Sequence, residues 1–143
     1  MHRMEKLRPL ALLLLRVGLG MIFIYYGYPK FFGRTKEHLD EMVNINHLPA
    51  YFVYIAGALE LGGGSLLVVG LLTRITGLLL AGEMAVAMWK GEHFFLQPLA
   101  VDQYGLALAL SVGAFALATF GAGPVSLDGV LFSEGKSARV SKA

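Results

Sequence analysis

The sequence predicts an all-α integral membrane protein, a bundle of four transmembrane helices, and three observations carry that expectation. The 143 residues are 56% apolar and only 15% charged, where a soluble domain carries about 25% charged residues. Four apolar stretches, 10 to 28, 50 to 72, 75 to 89 and 104 to 122, recur along the chain. Lys, Arg and aromatic residues gather where those stretches end, the pattern expected at the two surfaces of a bilayer.

The first stretch follows Arg3, Lys6 and Arg8, so the N-terminus imitates the charged and apolar regions of a signal peptide. Arg16 interrupts the apolar run, which then resumes to Tyr28, and no small-x-small cleavage site follows it. The expectation is a retained first helix. At 1.5 Å per residue the first, second and fourth stretches reach about 30 Å, enough to cross the hydrocarbon core, and the third reaches roughly 22 Å. Thr73 and Arg74 alone separate the second from the third, which makes those two an antiparallel hairpin. In the loop between Pro29 and Pro49, Thr35 is suited to an N-cap, Glu37 to a first turn, and Leu39, Met42 and Val43 to one helical face. That pattern predicts a short extramembrane helix. The Gly-Ala-Gly-Pro run from Gly121 ends the fourth helix, and residues 133 to 143, small and polar, are expected to be a disordered tail. The membrane domain accordingly spans 1 to 132.

Orientation follows from the cations outside the spans. Seven face one side: Arg3, Lys6 and Arg8 before the first helix, Arg74, and Lys136, Arg139 and Lys142 in the tail. Lys30, Arg34, Lys36 and Lys90 face the other. The excess predicts that both termini are cytoplasmic in the inner membrane. Tyr25, Tyr26, Tyr28, Phe31 and Phe32, then Tyr51, Phe52 and Tyr54, then Trp89, Phe94, Phe95 and Tyr104, all fall on the outer side. They read either as an interfacial belt or as the wall of a pocket for a flat apolar ligand such as a quinone.

Arg16, Glu60 and Glu83 lie well inside the first three spans. An ionisable group at that depth costs several kcal/mol on an insertion scale, so it turns inward and finds a partner. Counted from the cytoplasmic ends of their helices, the three fall at depths of about 10, 18 and 13 Å, close enough for one shared polar cluster. Lys30, Tyr26 and Tyr54 would form its rim. The faces agree, because Arg16, Gly20, Phe23, Gly27 and Lys30 share one stripe at about 100° per residue. Glu60 stands at helical offsets from Ala56, Gly57, Gly63 and Gly64. Small residues let membrane helices approach closely, so these glycines are expected to be packing positions. One carboxyl of the trio, Glu60 or Glu83, would be a proton acceptor; the alternative is a structural ion pair that fixes helix register.

Other chemistries are excluded or unsupported. The chain has no cysteine, which removes disulfides, thiolate nucleophiles and iron–sulfur ligands. His38, His47 and His93 lie in loops without ligand spacing, so no metal site is expected. Gly62-Gly63-Gly64 sits inside an apolar span without a strand, a Lys or a Ser/Thr at phosphate-binding offset. No basic face calls for nucleic acid, and no catalytic residue is assigned.

The residues resemble the DoxX family of small bacterial membrane proteins. Arg16 with Gly27 and Lys30, Glu60-Leu61-Gly62-Gly63-Gly64, Gly70-Leu71-Leu72-Thr73-Arg74, and Gly121-Ala122-Gly123-Pro124 followed by Ser126-Leu127-Asp128 carry the resemblance. Arg74, Ser126 and Asp128 are its signature positions. The resemblance implies a four-helix membrane fold and, through the family's namesakes, a link to membrane subunits of thiosulfate:quinone oxidoreduction. The leading expectation is therefore a redox-associated subunit that contacts a quinone or a redox partner protein; if enzymatic, it is oxidoreductase-associated. A non-catalytic assembly or scaffold protein is the alternative. A small transporter is the third reading, and it would need a homo-oligomer to enclose a pore.

Overall fold

A computed structural model describes residues 2 to 32, 49 to 90 and 101 to 132. Among the described residues the chain is helical without strands. In order come α1 (His2–Glu5), α2 (Arg8–Gly27), α3 (Pro29–Phe32), α4 (Ala50–Val69), α5 (Thr73–Lys90) and α6 (Val101–Phe120), and a last helical segment covers 127 to 132. The short helix expected between Thr35 and Val43, the loop histidines and the tail from 133 to 143 lie outside the described residues.

Each boundary has a local cause. Pro9 stands in the first turn of α2, where its missing N–H would be unpaired anyway. α4 stops at Val69, before the expected Leu72, because Gly70 takes the left-handed conformation at φ 75°. Its N–H and that of Leu71 both reach back to the carbonyl of Leu66, closing the helix in the manner of a Schellman turn. Leu72 follows at φ 51°, a conformation that disfavours a side chain with a Cβ. α5 then begins two residues earlier than the apolar run suggests, at Thr73. Gly121, at φ 81°, ends α6, and its N–H donates to Leu117 at 2.8 Å.

α2 packs along α4, and α5 along α6, with α4 and α5 as the joining hairpin. Both close pairs are antiparallel. A Cβ built on Gly20 would lie 2.6 Å from the Gly64 carbonyl oxygen, and one on Gly27 would lie 2.6 Å from the Leu61 nitrogen. Along the second pair, a Cβ on Gly77 would lie 2.7 Å from the Ala114 carbonyl oxygen, and Ser111 Oγ donates to the Ala81 carbonyl at 3.0 Å. Backbones this close leave no room for larger residues, which is how helices associate where lipid is as apolar as their side chains. Leu19, Phe23, Leu67, Leu80, Leu110 and Leu117 fill the space between the pairs.

The outside is apolar as well. Leu14, Met21, Ile55, Leu78, Val112 and Phe115 are all more than half exposed. Two helical stretches, Arg3–Phe32 and Tyr51–Val69, are long and apolar enough to cross a membrane, and Gly105–Phe120 is a shorter apolar helix.

Candidate functional site

The antiparallel order gives the molecule two ends, and each holds a buried charge. At one end α3 brings Lys30 onto α4. Gly57 makes room for it, since a Cβ there would meet the Lys30 Cβ at 2.9 Å and the Phe31 ring at 3.1 Å. The Lys30 ammonium donates to Glu60 Oε2 at 2.5 Å, and both side chains are buried. Glu60 stands about 15 Å along α4 from its first residue, so the pair is deep within the helices. Charge-assisted bonds of this kind are short and strong.

Glu83 of α5 is the third member of this group, within electrostatic range of both Glu60 and Lys30. Its two carboxylate oxygens are buried, and neither has a hydrogen-bond partner among the described residues. Aromatic rings lie over the same end. Phe31 and Tyr54 have centroids 6.1 Å apart, Tyr28 and Phe32 5.2 Å, and Tyr25 and Tyr26 5.3 Å edge to face. Tyr26 and Tyr54 are each about two-fifths exposed, so their faces are open to whatever surrounds the bundle.

The sequence expectation of one Arg16, Glu60 and Glu83 cluster is corrected here in its membership. Glu60 and Glu83 come together, but Arg16 does not join them, and Lys30 stands at the centre instead of the rim. Depths counted from assumed span ends misjudged the register: Gly20 lies against Gly64 and Gly27 against Glu60 and Leu61. Arg16 is thereby level with the end of α4, roughly nine residues or 13 Å beyond Glu60. The signal for Lys30 was in the sequence, because it shares the stripe of Arg16, Gly20 and Gly27.

Arg16 belongs to the opposite end. Its Nη1 donates to the Ala122 carbonyl at 2.8 Å, its guanidinium lies against Gly70, and Asp128 is the nearby opposite charge. Asp128 accepts from the N–H of Leu72 at 2.8 Å and of Thr73 at 2.9 Å, satisfying donors at the start of α5. Its own N–H donates to the Gly70 carbonyl at 2.9 Å. Ser126 Oγ accepts from Gly129 N–H at 3.0 Å and so caps the segment 127 to 132. Arg74 donates to the Thr119 carbonyl at 2.9 Å, the end of α6 where a cation is favoured. The three signature residues thus hold the ends of helices. Gly63 packs on Leu80 of α5, where a Cβ would lie 3.2 Å from the leucine methyls.

Residues 11–93 match the DoxX family model, a span that includes Arg16, Lys30, Glu60, Arg74 and Glu83. The chain belongs to the DoxX family. It is 28% identical over 130 residues to the inner membrane protein YqjF of Escherichia coli strain K12, covering 90% of this chain and 97% of that protein. An uncharacterized protein of Haemophilus influenzae is 33% identical over 141 residues, covering 94% of this chain and all of the relative. The putative oxidoreductase CatD of Bacillus subtilis is 41% identical over 78 residues, covering 54% of this chain and 57% of CatD. No solved structure matches significantly. The DoxX relationship makes the chain a membrane protein and sets it among proteins of the bacterial inner membrane.

Proposed function

We propose that this DoxX protein is a redox-associated membrane subunit whose Lys30, Glu60 and Glu83 form the polar end of a site for a quinone-type lipid. In this reading α2, α4, α5 and α6 all cross the membrane as a four-helix bundle spanning residues 1 to 132, with both termini and the tail in the cytoplasm. The Lys30 end then faces outward. The observation that carries the proposal is the buried Lys30–Glu60 pair with the unpartnered Glu83 beside it, beneath open aromatic faces. Intramembrane ionisable groups mark functional sites by default. The relative named putative oxidoreductase supports redox association as the class.

The residues present suit a quinone. Lys30 is a donor for a carbonyl oxygen, the Glu83 oxygens lack partners among the described residues, and Tyr54 with Phe31 offers a flat apolar wall. A bound quinone supplies two-electron, two-proton redox chemistry; Lys30 and Glu83 would orient its head, and a redox partner protein would exchange the electrons. The test is ligand-dependent stability in detergent. A quinone at about 100 times its dissociation constant stabilises the folded state by about 2.7 kcal/mol, and Tyr54→Ala or Lys30→Met should reduce the shift. No shift at saturating quinone refutes the ligand.

The scaffold reading is favoured by one specific observation, the mutual neutralisation of Lys30 and Glu60. It predicts that a partner protein co-purifies while quinone leaves stability unchanged. A homo-oligomer is compatible with either reading.

A further inference from the structure

Glu83 is the one member of the Lys30, Glu60 and Glu83 group whose charge is not matched. Lys30 provides a single positive charge, and Glu60 takes it through a direct 2.5 Å bond. Among the described residues, Glu83 has no donor on either buried oxygen. The charged groups facing it among the described residues are Glu60 from α4 and Lys30 from α3. On α6, packed along α5, residues 105 to 120 carry no ionisable side chain. On α2, Arg16 belongs to the other end of the bundle, and Tyr25 and Tyr26 are exposed. With one ammonium and two carboxylates, full ionisation would leave a net negative charge in a dry interior. A carboxylate without donors there costs far more than the neutral acid.

We propose that Glu83 is a membrane-embedded proton-binding site, holding one exchangeable proton while Lys30 keeps Glu60 ionised. In the exchange the O–H bond of the acid breaks, the electron pair stays on the carboxylate oxygen, and the proton passes to water or to a basic ligand atom. No electron moves, and the group changes from neutral to a single negative charge. This deepens the reading above by naming what its polar end exchanges; it rests on that reading's placement of the helices in the bilayer, not on quinone.

A hydrophobic carbodiimide tests it, because the reagent attacks protonated carboxyls in apolar surroundings. Purified protein in detergent is treated across a pH series, and the peptides carrying Glu60 and Glu83 are read by mass spectrometry. The adduct is expected on Glu83 and not on Glu60, declining as pH rises, and Lys30→Met should extend labelling to Glu60 by removing its counter-charge. Infrared difference spectroscopy provides a second readout independent of reagent access. The carbonyl band of a protonated acid should be present in the native protein and lost in Glu83→Gln, which mimics the neutral acid and retains the fold. Absence of that band, an adduct on Glu60 in preference to Glu83, or protection by sodium at constant pH would each overturn the proposal, the last in favour of a metal-cation site. Neither readout requires quinone, so failure of quinone binding would leave both intact.

Discussion

Removing Glu60 or Lys30 alone leaves its partner buried between the helices without its counter-charge. Both side chains are buried, at 6% and 7% exposure, and the bond between them is 2.5 Å, so little solvent is at hand to re-solvate the survivor. Breaking a buried pair by deleting one partner costs about 3 to 5 kcal/mol. Glu60→Leu and Lys30→Leu should each cost that much, and the double Leu variant should recover most of one single loss. The coupling energy expected from the cycle is therefore about 3 kcal/mol, at the upper end of measured pair couplings. Reversible unfolding in mixed micelles measures it, followed by the fluorescence of Trp89, the single tryptophan. Single losses that add to within about 0.5 kcal/mol would mean that the two residues do not interact energetically, and the site as described would have to be redrawn.

Three further outcomes follow from the same geometry. Gly27→Ala places a methyl against the Leu61 nitrogen and should cost about 1 to 3 kcal/mol, whereas Gly62→Ala, with nothing within 4 Å of the new Cβ, should be neutral or gain up to about 1 kcal/mol; the same unfolding assay compares them. Leu72→Gly relieves a side chain at φ 51° and should stabilise by roughly 1 kcal/mol despite glycine's entropy, so a measured loss would show that the leucine side chain matters more than its backbone angle. For orientation, the native chain has no cysteine, and single cysteines at Lys36 and Ser137 can be labelled with an impermeant maleimide; the positive-inside asymmetry predicts labelling from outside at 36 and not at 137.

The elements were legible because their causes are local. Gly70, which stops α4 short of the expected Leu72, lies inside an unbroken apolar run and gave no sign of its left-handed conformation, whereas the apolar runs and the Gly121 turn mark helices through residues within a turn of themselves. The stripe of Arg16, Gly20, Gly27 and Lys30 was legible for the same reason. Which charge meets which was not, because the register between α2 and α4 is set by backbone approach at Gly20 with Gly64 and Gly27 with Leu61, and nothing along one helix encodes its offset against another. An offset of roughly nine residues is enough to take Arg16 out of reach of Glu60 and leave Lys30 as its partner. Asp128 was visible only through family resemblance, since its partners, the N–H groups of Leu72 and Thr73, lie far away in the chain and are backbone atoms that no side-chain pattern announces.

The bonds at the Arg16 end also impose an order on assembly. Arg16 reaches the carbonyl of Ala122 across 106 positions, and Asp128 reaches Leu72 across 56, so the first long helix and the central hairpin both wait for the segment that follows α6. Until then, the guanidinium of Arg16 and the first amides of α5 lack these partners. A chain interrupted before Asp128 would carry its glycine seam and its apolar core, and yet present a live cation and open amide donors at its unfinished end. Arrival of Ala122 and Asp128 and neutralisation of that end are therefore one event, and the glycine seam precedes it in the order of synthesis.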